Sequence, residues 1–266
     1  MKPEIDLDVK RILVALDASP SCMVSLDMAA GLAARMRAQL ETLFVEDVGL
    51  FRLAALPFAA ELDRASGEAR SINEAGIQSA LRLHVERLKR RLDWFSEHKN
   101  IQYHLRTVRG DYFTEALQAE SDILFMITSK RVSMTAAADF ARPEKLQPVR
   151  KNRAPVYTLY YGKTHSVISL KVAADIASLL DTELVIILPP ESRKTLEKVQ
   201  STVKALVDHR INMKFRFAQS DFTSTMIDLA RSDCGLLVLP KHAEEIGSNQ
   251  KRALQALHCP VVMVGE

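Results

Sequence analysis

The stretch Arg11-Ile-Leu-Val-Ala-Leu16, followed at once by Asp17-Ala-Ser-Pro-Ser21 and then by residues 22–36, decides the fold. Its short, nearly continuous apolar run is the mark of a strand covered on both faces, as strands of a parallel sheet are. Pro20 suits the first turn of a helix, where its missing N–H costs nothing. Met23, Leu26, Ala30, Ala33 and Met36 then recur at helical spacing. Strand, polar turn and amphipathic helix together open a βαβ unit.

The pattern continues outward from there. A strand is expected over 40–45 and, after a loop, a long helix whose apolar positions are Ile77, Leu81, Val85, Leu88, Leu92 and Phe95, with Arg82, Arg87, Lys89 and Arg90 on its other face. A strand over 102–108, a helix over 112–119 and strands over 123–127 and 156–160 complete one pass. The second half replays the order more compactly. Helices are expected over 167–180, 192–209, 222–231 and 249–257, and strands over 184–188, 213–217, 236–239 and 261–264. Ser25-Leu-Asp-Met-Ala-Ala-Gly-Leu-Ala33 and Ser169-Leu-Lys-Val-Ala-Ala-Asp-Ile-Ala177 make this internal repeat visible.

Composition agrees with two α/β units. The chain has 266 residues, 47% hydrophobic and 26% charged, the balance of a helix-rich globular protein long enough for two cores. A formal net charge of +3 is too slight to announce a nucleic-acid surface, and Glu86 and Asp93 break up the basic helix face, so no nucleic-acid partner is expected. No apolar run reaches membrane-spanning length, and residues 1–10 lack the order of a signal peptide; a cytoplasmic protein without a membrane partner is expected. Cys22, Cys234 and Cys259 lie far apart in sequence and without metal-ligand spacing, which argues for reduced, buried thiols rather than disulfides or zinc. The seven histidines show no His-x3-His or His-x-His pair.

Leu13-Val-Ala-Leu-Asp-Ala-Ser19, the Ala-rich helix after it, and His258-Cys-Pro-Val-Val-Met-Val264 resemble the universal stress protein family. Its unit opens with a strand ending in Asp-Gly-Ser and closes with a strand beginning Cys-Pro-Val. Residues 43–61 look like the loop after the second strand in long bacterial tandem members. The resemblance implies an α/β fold of two tandem units, each an open parallel sheet of order 3-2-1-4-5 flanked by helices, packed as an intrachain pseudo-dimer. The units are placed at residues 1–153 and 154–266. Residues 154–161 read equally as the closing strand of the first unit and the opening strand of the second; the Tyr-Gly-Lys turn after them favours the second.

In the ATP-binding members of that family, nucleotide lies in the crevice beside strands one and four, at the switch point of the sheet. The resemblance places Asp17 and Val45 where the family contacts the nucleoside. The family's phosphate loop, Gly-x2-Gly-x9-Gly-Ser/Thr after strand four, lets bare backbone approach the phosphates. Here the first copy reads Thr128-Ser-Lys-Arg131 and Ala141-Arg-Pro143, with no loop glycine, and Lys130 stands as a side-chain anion contact in their place or as part of a solvated loop. The second copy keeps Gly247-Ser248 before its last helix but has Pro240 and Ala243 at the first glycines and Tyr161 near the aspartate position. Gly247 and Ser248 are a residual phosphate contact or a plain helix cap.

Cys22, in the first turn of a helix, reads either as a reactive thiol or as a small buried residue. No His or second Cys lies near it in sequence, which favours the latter. Residues 50–58 are apolar enough for a lid, a partner surface or packing on their own sheet. With no catalytic constellation in view, the expectation is a stress-response protein that is not an enzyme. It acts by association with a protein partner not identified by the sequence, as an intrachain pseudo-dimer or a homodimer, and needs no cofactor; ATP at Asp17 and Val45 is the alternative.

Overall fold

The structure, a computed structural model, describes residues 9–19, 22–62, 67, 69–127, 154–207, 210–219, 221–241 and 248–265. In the first half, β1 (Arg11–Leu16) runs into α1 (Cys22–Met36) and β2 (Gln39–Asp47). The short α2 (Val48–Ala54) and an antiparallel hairpin, β3 (Ala60–Leu62) and β4 (Ala69–Ser71), follow where a loop was expected. Asp47 starts α2 because its carboxylate accepts the Gly49 N–H at 2.7 Å. Then come α3 (Glu74–Lys99), β5 (Tyr103–Gly110), α4 (Tyr112–Gln118) and β6 (Ile123–Met126). Asn73 caps α3 at its start, and Asn100, left-handed at φ 52°, stops it.

The second half begins with β7 (Val156–Leu159), α5 (Thr164–Leu180) and β8 (Leu184–Leu188). A 3-10 turn (Pro190–Thr195) leads into α6 (Leu196–Leu206), and β9 (Met213–Phe217), α7 (Phe222–Ala230), β10 (Leu236–Pro240), α8 (Ser248–Gln255) and β11 (Val261–Val264) follow. Among the described residues, no helix is long and apolar enough to cross a membrane.

Among the described residues, nine strands form one sheet in the order β5-β2-β1-β6-β11-β10-β7-β8-β9. Strands β5, β2, β1 and β6 are mutually parallel, as are β11, β10, β7, β8 and β9. The two sets meet at the antiparallel pair β6–β11, in which Val262 faces Phe125 and Met263 faces Leu124. The order is symmetric about β11: β6 answers β10, β1 answers β7, β2 answers β8 and β5 answers β9. A pseudo-two-fold axis thus passes through a single strand.

The nine-stranded sheet is consistent with two tandem units. Residues 156–159 lie between β10 and β8, a central position with a neighbour on each side, so they open the second half rather than close the first. The first half reads 3-2-1-4, and its fifth place is taken by β11, which also closes the second half. One closing strand serves two sheets because β6 and β10 each present an unpaired edge, and a buried edge must find a partner for its N–H and C=O groups.

The repeated helices α1 and α5 pack on each other beside this axis. In the repeat, Gly31 corresponds to Asp175 and Arg35 to Leu179. Arg35 pairs with Asp175 at 3.1 Å, and a Cβ at Gly31 would lie 3.0 Å from a Leu179 methyl. Each position therefore touches the counterpart of the other, the rule for an isologous contact. The residue types have diverged to suit it: a small residue opposes a large one, and a cation opposes an anion.

Candidate functional site

At the carboxyl ends of β1 and β2 the parallel register sets Leu16 beside Phe44, which brings the next residues, Asp17 and Val45, level with each other. Val45 is buried, with its side chain in the core. Asp17 is half-buried, and the Ser19 N–H donates to its Oδ1 at 3.0 Å. Burial pushes the Asp17 carboxyl up from its ordinary range, hydrogen bonding from Ser19 opposes the rise, and the charge of Asp47 adds to it.

The floor between β1 and β6, where the crevice of such a sheet opens, is spanned by a side chain from α4. The buried Tyr112 hydroxyl donates to the Ala15 carbonyl and accepts the Ile127 N–H, both at 2.8 Å. The phenol ties the ends of the two strands together.

Beside Asp17, Cys22 Sγ lies 3.1 Å from His84 Nε2 in a buried hydrogen bond, and the His84 ring stacks on Phe44 with centroids 5.4 Å apart. Sequence separation hid this pair. The apolar positions of α3 pointed to Val85, whereas the helix buries Ile77, Leu81, His84, Leu88, Leu92 and Phe95. His84 and Val85 fit the helical spacing between Leu81 and Leu88 equally well, one being three and four residues from them and the other four and three, so periodicity alone did not choose between them.

Burial pushes the Cys22 thiol up, with Asp17 adding to the rise, while burial and then Arg87 hold His84 down at about 4. The pair is a neutral thiol and a neutral imidazole. A thiolate–imidazolium couple would need the opposite shifts, and Cys22 is a buried, packed thiol despite its place at a helix start. Ser166 occupies the same position at the start of α5, where it is buried and donates to the Lys163 carbonyl at 2.7 Å.

The His84 environment makes the protein acid-sensitive. The unfolded chain takes up a proton on this side chain as pH falls through about 6.5. The folded chain resists it until about 4. This contribution to stability is present in full above the upper value and is lost as pH falls toward the lower one, up to ~3 kcal/mol in all. Melting temperatures measured between these limits should fall more steeply for the native protein than for His84→Leu; parallel pH profiles would refute a buried neutral imidazole.

Of the other expected contacts, Lys130 and Gly247 lie outside the described residues. Ser248 begins α8. Lys241 follows β10 and reaches across the seam to donate to the Ala119 carbonyl at 2.9 Å. Tyr161, at the aspartate position of the second half, is 45% exposed, and Gly162 after it takes the left-handed turn, φ 74°, that leads into α5. Of the site residues named from sequence, Asp17, Val45 and Ser248 thus lie among the described residues.

No profile of a known protein family matches the chain, and no curated protein sequence matches it. Solved structures do. A universal stress protein from Archaeoglobus fulgidus DSM 4304 aligns over 96% of this chain and 96% of its own, at 11% identity and a TM-score of 0.50. A protein of unknown function from Pseudomonas aeruginosa PAO1 aligns over 97% and 92%, at 11% identity and a TM-score of 0.48. The cytoplasmic domain of a prokaryotic cation chloride cotransporter aligns over 96% and 94%, at 7% identity and a TM-score of 0.45. The first of these alignments runs through both halves and the shared sheet, and on it the chain has the universal stress protein fold.

Proposed function

We propose that this protein is a stress-response module that acts by association with another protein and carries out no chemistry of its own. What supports this reading most is Tyr112. Its phenol fills the space where β1 and β6 part, the place in which an open α/β sheet ordinarily receives a ligand. The acidic pair around the crevice adds to it, because Asp17 and Asp47 oppose the approach of a polyphosphate. The thiol beside them, Cys22, is held neutral by burial. The exposed side chains Leu53, Leu56 and Phe58, the last 80% exposed, sit at the end of α2 and after it and supply apolar surface suited to a protein partner or a second copy.

A second reading is favoured by a single observation, that the register of β1 on β2, with Leu16 beside Phe44, leads directly into Asp17 and Val45. It makes the protein an adenine-nucleotide binder at that crevice. Calorimetric titration with ATP and magnesium separates the two. The association reading expects no heat of binding in the submillimolar range. Submillimolar binding that weakens in Asp17→Ala would replace it with the nucleotide reading.

A further inference from the structure

The two cysteines of the second half, widely separated in sequence, meet in space. Cys234 Sγ and Cys259 Sγ lie 3.0 Å apart, and both are free thiols. Cys234 precedes β10 and Cys259 precedes β11, the two strands that pair in parallel with Leu237 beside Val261.

The backbone on both sides holds this meeting in place. The Gly235 N–H donates to the Pro155 carbonyl and the Leu237 N–H to the Pro260 carbonyl, each at 3.0 Å. A Cβ at residue 235 would lie 2.6 Å from the Ala154 carbonyl oxygen, so the close approach of β10 to the entry of β7 depends on glycine there. With both backbones fixed, the sulfurs need to close by only about 1 Å to reach the disulfide distance of about 2.05 Å, a movement within reach of side-chain torsions. The two thiols differ in access: Cys234 is half-buried, while Cys259 is 3% exposed.

We infer that Cys234 and Cys259 are a reversible thiol–disulfide site, oxidised by low-molecular-weight disulfides of the glutathione class. The accessible Cys234, as its thiolate, attacks one sulfur of the small disulfide, forms a mixed disulfide and releases one small thiol. Cys259 then loses its proton and attacks the Cys234 sulfur, forming the internal bond and releasing the second small thiol. Two protein thiols are oxidised and one small disulfide is reduced to two thiols, so atoms and electrons balance. The hydrogen bond between the sulfurs and then burial raise the Cys234 thiol well above its ordinary range, which makes the first step slow and the reduced pair persistent.

The consequence lies at the seam. The new bond would tie the entry of β11 to the entry of β10, and β11 is the strand on which the first half also pairs. Oxidation would thus pin the shared strand, while reduction would leave it held by its ladders and side chains alone.

The test is a titration of the full chain with mixtures of oxidised and reduced glutathione, quenched by alkylation and read by intact mass and by proteolytic peptides. The expected result is loss of two thiols together, an intact mass about 2 Da lower from the two hydrogens removed, and one linked peptide pair carrying Cys234 and Cys259. Cys259→Ser should stop at a glutathione adduct on Cys234, and Cys234→Ser should yield no internal bond. The oxidised native protein should also melt higher than the reduced one, a gain absent from Cys234→Ser. The inference is overturned if the native chain stops at an adduct, or stays fully reduced in glutathione mixtures that oxidise free dithiothreitol. It is overturned equally if Cys234 links to Cys22 or to a second chain.

Discussion

Val262→Pro is expected to destroy the cooperative fold of both halves, although the residue lies within the second repeat. Val262 is fully buried in β11, opposite Val238 of β10 on one side and Phe125 of β6 on the other. Proline in a central strand removes a ladder hydrogen bond, and its ring crowds the neighbouring backbone. A penalty of about 3 kcal/mol or more is a large share of the ~5–15 kcal/mol that holds an ordinary domain. The reporter is built in: Trp94, the single tryptophan, lies on α3 in the first half. Denaturant titration followed by its fluorescence should show a midpoint lowered together with the far-ultraviolet circular dichroism of the whole chain. If the fluorescence transition stays where it is in the native protein while helix content is lost earlier, the first half does not depend on β11.

Tyr112→Phe should cost nearly as much through two hydrogen bonds. The hydroxyl is buried and joins the Ala15 carbonyl to the Ile127 N–H. Phenylalanine keeps the ring and leaves the Ile127 amide and one carbonyl lone pair without that partner. Each unsatisfied buried group costs about 1–3 kcal/mol, so a loss of about 2–6 kcal/mol is expected. Tyr103→Phe is the internal comparison. Its hydroxyl donates to Asp93 at the half-buried edge of the sheet, where water replaces the lost bond, so a change of about 0.5 kcal/mol is expected. Urea midpoints for the two variants decide the matter; similar losses from both would mean that water or a backbone shift satisfies the Ile127 amide. Because Tyr112 also fills the crevice floor, nucleotide binding gained on its replacement by Ala would further support its role as a plug.

Much of this architecture was legible in the sequence for a physical reason. Strands covered on both faces leave continuous apolar runs, and residues 11–16, 184–188 and 261–264 have the limits that reading gives them. The elements that escaped it are short or mixed in composition: α2, the β3–β4 hairpin, and the 3-10 turn at Pro190–Thr195, where a continuous helix was expected from residue 192. Pairings across sequence distance were not legible. Nothing near Cys22 announces His84, and nothing near Cys234 announces Cys259. The ambiguity of residues 154–161 was real, since the apolar run Val156–Leu159 suits a central or an edge place. It was resolved by a strand more than a hundred residues away taking the vacant position. The register of β1 on β2 runs as far as Leu16 beside Phe44, next to Asp17 and Val45, while the hydroxyl that ties Ala15 to Ile127 comes from α4, whose Tyr112 carries no motif.

The single strand at the centre of the sheet also sets an order of events in the cell. β11 emerges from the ribosome after the eight strands it joins, so β6 must wait at an open edge while the entire second half is made. An exposed edge of buried, apolar residues, Ile123-Leu-Phe-Met126, is a template for pairing with any passing strand, including that of a neighbouring nascent chain. The first half is thus the part of this protein with the greatest need of a chaperone, and slowing synthesis between β6 and β11 should increase its aggregation rather than improve its yield.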